Sequence, residues 1–252
     1  MKKIAVIGTG LSALSLAKHL PTLDITFFEK SWRPGGRIST RRHENYTFDH
    51  GAHYLKEDHG IIGLNEFLNK INSIKILEGD FCANIQNQSS VEKKQLIVGQ
   101  KGIESIPLQF HQYLSYQTHF STEIKKIENK NQEYYLIADN CEYGPFDFIF
   151  CCIPFEQSKN LLKEFIDFSS FQSSNFDSIW TIMVALDKRL GSPFQFGYHM
   201  TPEISFLMNQ NFKHEFFTDE CWVINMRAEW TKEYYNIEKY VLEDYVIDKL
   251  KK

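Results

Sequence analysis

The glycine-rich stretch near the start of the chain, IAVIGTGLSALSLAKHL (residues 4–20), restricts the fold more than any other part of the sequence. An apolar run comes first, followed by Gly8-Thr9-Gly10 and then by apolar residues at helical spacing. We therefore predict a strand over 3–8, a tight turn, and a helix over 11–20 that Pro21 closes. This order predicts the start of a βαβ unit and hence a parallel sheet.

The spacing Gly8-x-Gly10-x-x-Ala13 is typical of a turn that holds a dinucleotide. Gly8 allows the tight turn, Gly10 lets the backbone approach a pyrophosphate, and Ala13 lets the helix pack closely on the strand. The helix N-terminus adds free N–H groups and a partial positive charge for the phosphates. The stretch DITFFEK (24–30) predicts the second strand and places Glu29 21 positions after Gly8, where an acid binds ribose hydroxyls.

A second glycine pair, in RPGGR (residues 33–37), follows this acid closely. Gly35 and Gly36 allow backbone amides to face a ligand, and Arg37 can neutralise a pyrophosphate through a charge-assisted contact. A simple nicotinamide-dependent dehydrogenase does not need this second phosphate clamp. The pair therefore favours a flavin dinucleotide over a nicotinamide dinucleotide.

The composition excludes several classes of partner. The formal net charge is −4 and no basic stripe occurs, so we expect no nucleic-acid partner. No apolar run approaches the roughly 20 residues of a membrane span, so we expect no membrane insertion. The five cysteines include no Cys-x-x-Cys pair and no zinc-ligand cluster, so we expect free thiols, no metal site and a cytoplasmic location.

Further along the chain, strand and helix patterns alternate without repeats or low-complexity linkers. We predict helices over 58–71, 101–114 and 155–166 and at the C-terminus, with short antiparallel strands between them. The predicted fold class is α/β, with a discontinuous Rossmann-like domain and a second, sheet-rich domain. The predicted bounds are 1–75 with 100–168 for the first, 76–99 with 169–230 for the second, and 231–252 for a C-terminal helix.

Glu29-Lys30, RPGGR and FDHGAHY (48–54) together resemble the flavin-containing amine oxidase superfamily, and within it the renalase-like proteins. The resemblance continues through GQKGIESIPLQF, FSTEIKKIE, FDFIFCCIPFEQSKNLL and CWVINMRAEWTKEYY. It implies an FAD-binding domain and a substrate domain in the topology shared with p-hydroxybenzoate hydroxylase, and it implies that FAD is bound without a covalent bond.

The resemblance also implies positions for the site. The implied FAD contacts are Gly8, Gly10, Leu11, Ser12, Ala13, Glu29, Lys30, Gly35, Gly36, Arg37, Gly51, Ala52, His53 and Ile124. Ile124 would lie near the adenine, and His53 stands where the family usually has Gln beside the flavin ring. Separately from the resemblance, the candidate substrate pocket is His53, Tyr54 and Trp180, because Tyr54 and Trp180 could supply aromatic walls. Phe206, Met208 and Trp222 would line this pocket or belong to the core.

By the same resemblance, the expected activity is oxidation of a small reduced substrate, such as dihydronicotinamide isomers, with hydride transfer to flavin and oxygen as acceptor. No catalytic dyad is evident, and SIWTIMVAL contains no lysine of the amine oxidase kind. The family's C-terminal Gly-Asp motif is also missing from the end of this sequence, so we expect the C-terminal FAD-binding segment to be lacking. One alternative is therefore a degenerate dinucleotide-binding protein without turnover. Another is an NAD(P)-binding reductase without flavin, which RPGGR disfavours.

Overall fold

The structure is a computed structural model that describes residues 1–56, 64–85, 88–171, 176–214 and 219–250. The chain forms two compact units. The first unit comprises Met1–Ser39, His59–Ile74 and Ile103–Ser174, and the second comprises Thr40–Asp58, Lys75–Gly102 and Asn175–Lys252.

The strands of the described residues, in chain order, are β1 (Lys3–Ile7), β2 (Asp24–Phe28), β3 (Thr40–His43), β4 (Tyr46–Asp49), β5 (Ile74–Ile85), β6 (Gln88–Gly99), β7 (Gln117–His119), β8 (Lys126–Lys130), β9 (Glu133–Ile137), β10 (Glu142–Phe146), β11 (Phe148–Cys151), β12 (Thr181–Leu186), β13 (Phe196–Tyr198), β14 (Ile204–Asn209) and β15 (Glu220–Met226). The helices are α1 (Leu11–Lys18), α2 (Leu64–Lys70), α3 (Ser105–Leu114), α4 (Phe155–Leu162), α5 (Ala228–Glu233) and α6 (Lys239–Leu250).

A parallel sheet of four strands, in the order β11-β1-β2-β7, forms the centre of the first unit. Strand β1 is buried from Ile4 to Ile7, as expected of a strand covered on both faces. Helix α1 buries Ala13, Leu14 and Ala17 on one side and packs against α3. This arrangement places the start of α1 directly at the carboxyl end of β1.

A smaller antiparallel sheet, in the order β10-β9-β8, packs against the parallel sheet. Its Ile127 and Leu136 join Ala5 and Ile7 in one apolar cluster. Ile124, in the loop just before β8, belongs to the same cluster and is 6% exposed. The cluster therefore fixes this loop beside the end of β1.

The second unit contains a six-stranded sheet in the order β12-β15-β14-β13-β5-β6. On one face, Trp222 and Ile224 of β15 pack with Trp230 of α5 and with Leu242 and Val246 of α6. On the other face, Cys221 and Val223 of β15 pack against Phe48 of β4. The two faces alternate because successive side chains of a strand point in opposite directions.

The predicted α/β class with a Rossmann-like parallel sheet is confirmed. Element bounds differ from the predictions for local reasons. The helix predicted over 101–114 begins only at Ser105, because Gly102 adopts φ +111°, which a helix does not allow. The helix predicted over 155–166 ends at Leu162. For the helix predicted over 58–71, the structure gives Leu64–Lys70, and residues 57–63 lie outside the described residues.

The bounds of the two units differ from the predicted domain bounds in several places. Residues 40–58 group with the second unit, because β3 pairs with β4 and Phe48 of β4 packs on β15. The segment predicted as one C-terminal helix over 231–252 contains the end of α5 and then α6. Among the described residues, no helix combines the length and the apolar composition that crossing a bilayer requires.

Candidate functional site

The turn from β1 into α1 is built around Gly8, which has φ +95°. A Cβ atom at this position would lie 2.8 Å from the carbonyl oxygen of Cys152 and 2.9 Å from Cγ2 of Ile153. The Gly8 N–H donates to the Phe28 carbonyl over 2.8 Å. The turn therefore needs glycine both for its conformation and for its contact with the end of β11.

Gly10 stands at the N-cap of α1 with extended backbone angles of φ −69° and ψ 172°. A Cβ atom here would meet nothing within 4 Å, so the backbone faces open space. The first intrahelical bond runs from the Leu14 N–H to the Gly10 carbonyl, and the amides of residues 11–13 precede it. The first turn carries no acidic residue, so the positive end of the helix dipole is available to an anion.

The second glycine pair lies beside this turn. The Gly35 N–H donates to the Thr9 carbonyl over 3.1 Å, and Gly35 forms an isolated parallel bridge with Gly10. Gly35 and Gly36 have φ +132° and +56°, and a Cβ atom on Gly36 would lie 3.7 Å from the Gly10 Cα. Exposed Arg37 follows directly. Two glycine loops with a guanidinium group thus form one cradle.

Glu29 is 6% exposed at the end of β2, and its carboxylate is held by hydrogen bonds. Its Oε2 accepts from the Thr9 hydroxyl over 2.6 Å and from the Thr9 amide over 3.0 Å, and its Oε1 accepts from the Ser31 amide over 2.9 Å. A carboxylate has about four acceptor positions, so one remains for a ligand hydroxyl. Sequence reasoning missed Thr9, although its place between the two glycines was a usable signal.

Arg33, the first residue of RPGGR, pairs with buried Glu104 immediately before α3. Its guanidinium also lies 4.7 Å from the ring centroid of Trp32. Arg33 therefore anchors the second glycine loop to the unit, whereas Arg37 of the same loop is exposed.

These elements enclose a cavity of about 900 Å³, which lies within the size range of natural ligand sites. All of its lining residues belong to the first unit. The implied FAD contacts that line it are Gly8, Gly10, Leu11, Ser12, Glu29, Lys30, Gly35, Gly36, Arg37 and Ile124. Ala13 does not line it, because its side chain is fully buried in the packing of α1. Residues that sequence reasoning missed include Cys152, Ile153, Gln157, Asn160 and Leu161.

Gly51, Ala52 and His53 lie in the second unit, after β4. The Nδ1 of His53 lies 2.9 Å from the Asp49 carbonyl oxygen, and its Nε2 lies 3.0 Å from Nδ2 of Asn225. Burial, together with the nearby Lys213 ammonium, lowers the pKa of His53 to about 3. The ring is therefore neutral at pH 7, with Nδ1 donating to the carbonyl and Nε2 accepting from the amide.

A buried ion pair lies behind His53. The Lys213 ammonium donates to Asp49 Oδ2 over 2.6 Å and to the His53 carbonyl over 3.1 Å. The Thr40 hydroxyl donates to Asp49 Oδ1 over 2.7 Å. Burial opposes ionisation of Asp49, but the Lys213 charge and the surrounding hydrogen bonds outweigh it and hold the pKa of that carboxyl well below its usual range. Sequence reasoning sought a lysine only in SIWTIMVAL and missed this one.

The candidate substrate-pocket residues come together only in part, because His53 and Tyr54 both lie near Phe206 and Trp180 does not join them. His53 lies 4.5 Å from Phe206 between ring centroids, and the Tyr54 hydroxyl lies 2.9 Å from that of Tyr198. Trp180 instead packs in the cluster on the opposite face of the six-stranded sheet. Leu207, the next residue after Phe206 on β14, belongs to the same cluster as Trp180. Because successive side chains of a strand point to opposite faces, Phe206 lies on the other face of the sheet.

The other two candidate wall residues, Met208 and Trp222, are both buried. Met208 and Trp222 are 0% and 2% exposed, and Trp222 donates from Nε1 to Glu220. Both are core side chains, on opposite faces of the same sheet. Met208 and Trp222 therefore belong to the core of the second unit, which is one of the two placements expected for them.

Comparison with known proteins finds a likeness to a Rossmann-like domain in the first part of the chain. A family model described as an NAD(P)-binding Rossmann-like domain matches residues 6–70. The chain is also 32% identical over 97 residues to coproporphyrinogen III oxidase of Staphylococcus aureus (strain NCTC 8325 / PS 47). That match covers 37% of this chain and only 20% of the relative, so it spans about a fifth of the relative's length.

Solved structures resemble the fold over almost the whole chain. A proposed protoporphyrinogen oxidase from Exiguobacterium sp. 255-15 superposes with a TM-score of 0.80 and 12% identity, covering 99% of this chain and 82% of the other. A putrescine oxidase variant redesigned in its cofactor binding has a TM-score of 0.75 and 9% identity, with 99% and 80% covered. At these identities the likeness establishes the fold: a Rossmann-like domain within an amine oxidase-like architecture.

Proposed function

We propose that this chain binds FAD without a covalent bond and acts as an oxidoreductase on a small reduced substrate. The observation that carries the proposal is the double glycine cradle, in which Gly10 and Gly36 approach each other beside Arg37. A nicotinamide-binding turn needs only the first of these loops. The second loop adds backbone amides and a cation for a pyrophosphate, which suits the adenosine diphosphate half of FAD.

The residues of the cavity fit this group. Gly10 leaves free the space that a Cβ atom would fill, and α1 directs its first-turn amides there. Glu29 is buried and oriented by Thr9, with acceptor capacity left for a ribose hydroxyl. We assign the pyrophosphate to the amides of α1 and the second glycine loop with Arg37, and the adenosine ribose to Glu29.

When bound, a flavin accepts a hydride from a reduced substrate and passes the electrons on to an acceptor, here proposed to be oxygen. The chain then needs chiefly to bind and orient the reactants. His53 fits a role in orienting the Asn225 side chain. Its neutral ring is engaged on both nitrogens, and Nε2 accepts from the Asn225 amide. It is not assigned a proton-transfer role. As substrates we propose dihydronicotinamide isomers, on the resemblance to renalase-like proteins.

The first test is the visible spectrum of the purified chain before and after addition of excess FAD and desalting. We expect flavin bands that survive desalting. Arg37→Ala should weaken retention, whereas Arg41→Ala, an exposed arginine on β3, should not. Absence of both retained flavin and measurable FAD binding would overturn the proposal.

The second test is an anaerobic titration of the FAD-loaded chain. The panel holds dihydronicotinamide isomers, coproporphyrinogen III, protoporphyrinogen and putrescine, the last three being named by the similar proteins. Bleaching of the flavin by the nicotinamide isomers, with recovery on admission of air, is the expected result. Bleaching by another member would correct the substrate. Retained flavin that no member bleaches would favour a dinucleotide-binding protein without turnover.

A further inference from the structure

Two polar atoms at the end of β15, in the second unit, are buried and have no hydrogen-bond partner among the described residues: Oδ1 of Asn225 and Nε of Arg227. Asn225 lies on β15, and Arg227 follows this strand directly with an extended backbone of φ −71° and ψ 152°. Because successive side chains of an extended chain alternate, the two side chains point to the same side of the sheet. An acceptor and a donor therefore lie two positions apart on one face, each without a partner in this part of the chain.

The orientation of the Asn225 amide is fixed by His53. The Nδ1–H group of His53 donates to the Asp49 carbonyl over 2.9 Å, which leaves Nε2 of the neutral ring as an acceptor. Nδ2 of Asn225 lies 3.0 Å from this acceptor, so the amide turns its N–H₂ group toward His53. Exchanging the two ends of the amide would bring Oδ1 against the lone pair of Nε2. Oδ1 therefore stays an acceptor for a further donor.

The Arg227 side chain is held at its far end. Its Nη2 donates to Nδ1 of His199 over 3.1 Å, and its backbone amide donates to the Glu203 carbonyl over 2.7 Å. Neither contact uses the Nε–H group, which can offer a charge-assisted hydrogen bond. Asn225 and Arg227 are both partly exposed, so these atoms lie close to the surface of the unit. A side-chain rotation of the kind common on binding would open them to a ligand.

The two atoms differ in what they can bind. A buried polar atom without a partner costs free energy, so such atoms usually contact water or a ligand. A primary carboxamide carries an N–H donor and a carbonyl acceptor side by side, which matches the Asn225 acceptor and the Arg227 donor. A carboxylate carries two acceptors, and one of them would face Asn225 Oδ1 without a proton between them. The Arg227 charge attracts both groups, so Asn225 is the residue that selects the amide.

We propose that Asn225 and Arg227 bind the carboxamide group of a small ligand, with Asn225 Oδ1 accepting from its N–H₂ group and Arg227 Nε donating to its carbonyl. The inference rests on the proposed function, because a carboxamide is the polar group of the dihydronicotinamide substrates proposed above. It adds the residues that recognise this group. Phe206 lies directly opposite Asn225 in the strand register, and its ring centroid lies 4.7 Å from that of Tyr198. Aromatic surface for a flat ring is therefore adjacent to Asn225.

The experiment compares nicotinamide with nicotinate, which differ only in amide against acid, as ligands of the full chain in excess FAD. Ligand-observed NMR titration measures such weak affinities. We expect nicotinamide to bind at least about tenfold more tightly than nicotinate, as one satisfied hydrogen bond against two facing acceptors implies. Asn225→Leu keeps the side-chain size and removes the acceptor. It should lower nicotinamide affinity roughly tenfold and change nicotinate affinity by less than about threefold. Arg227→Met should lower both affinities about tenfold or more, because both ligands lose the charged donor.

The matched controls are Asn236→Leu and Arg189→Met, which change exposed residues of the same unit and should keep the preference of the unmodified chain. Circular dichroism establishes that each variant is folded, and Arg227→Met tests the same pair of atoms if Asn225→Leu does not fold.

Equal affinity for nicotinamide and nicotinate in the unmodified chain would overturn the inference, even if FAD is retained and dihydronicotinamide isomers bleach it. An unchanged preference in folded Asn225→Leu would do the same. Selective binding of nicotinamide by a chain that retains no FAD would instead overturn the proposed function and leave this carboxamide site in place.

Discussion

The Lys213 ammonium and the Asp49 carboxylate form an ion pair of 2.6 Å in which neither side chain is exposed by more than 1%. Asp49 ends β4, and its carbonyl oxygen also contacts Nδ1 of His53. Lys213 donates in addition to the His53 carbonyl. One buried charge pair thus fixes both the backbone and the ring orientation of His53.

Removal of the lysine charge should destabilise the chain strongly. Lys213→Met keeps the length of the side chain but leaves the Asp49 carboxylate buried without its cation, which costs about 3–5 kcal/mol. The urea midpoint of unfolding should fall accordingly. Lys188→Met removes an exposed lysine and should have little effect. Adding Asp49→Asn to Lys213→Met should recover part of the loss, and no recovery would contradict the assignment of the cost to the unpaired carboxylate.

Stability should decrease as the pH falls below about 6.5, in part through His53. Its pKa in the folded chain is about 3, below the unfolded value near 6.5. The unfolded chain therefore binds a proton between these values while the folded chain does not, so protonation favours unfolding. The slope expected from this one proton is up to about 1.4 kcal/mol per pH unit.

His53→Gln should reduce this slope between about pH 6 and 4, measured from urea unfolding at each pH. His43→Gln, which removes an exposed histidine of β3, should leave it unchanged. An equal slope in the unmodified chain and in His53→Gln would contradict the neutral, buried state of this ring. Asp49 adds a separate loss of folding stability below about pH 4. Its pKa is lower in the folded chain than in the unfolded chain, so its contribution to stability is present only while the carboxyl is ionised.

The dinucleotide-binding part of the candidate site was predictable from the sequence because its residues lie close together along the chain. Gly8, Gly10 and Glu29 are linked by one strand-turn-helix-strand unit, whose dimensions fix their spacing in the sequence. The Asp49–Lys213 pair was not predictable, because 164 positions separate the two residues and no local pattern joins them. Trp180 was placed in a pocket with His53 on aromatic character alone. That character does not reveal which face of the sheet a side chain joins.

Thr9 should contribute to dinucleotide binding through Glu29. Thr9→Val removes the hydroxyl that donates to Oε2 over 2.6 Å and keeps the backbone amide bond to the same oxygen. We expect a stability loss of about 1 kcal/mol and a several-fold weaker affinity for ADP, because the carboxylate becomes less well oriented. The control is Thr47→Val on β4, which should not alter ADP affinity. Unchanged affinity in Thr9→Val would contradict the orienting role.

Substitutions of the two glycines in the first turn should have different effects, with Gly8 affecting folding stability and Gly10 affecting ligand affinity. Gly8→Ala places a Cβ atom 2.8 Å from the Cys152 carbonyl oxygen in a backbone with positive φ, and it should cost about 1–3 kcal/mol of folding stability. Gly10→Ala meets no protein atom within 4 Å and has an ordinary φ of −69°, so its unfolding free energy should stay within about 1 kcal/mol of the original.

The methyl group of Gly10→Ala would nevertheless occupy the space through which the backbone approaches a pyrophosphate. Its affinity for ADP and FAD should therefore fall at least about tenfold while the chain remains folded, as calorimetry and urea unfolding on the same sample can measure. Loss of stability without loss of binding in Gly10→Ala would show that the space beside Gly10 is not the phosphate site. Loss of binding without loss of stability in Gly10→Ala would instead show that the fold requires glycine at position 8 and that ligand binding requires it at position 10.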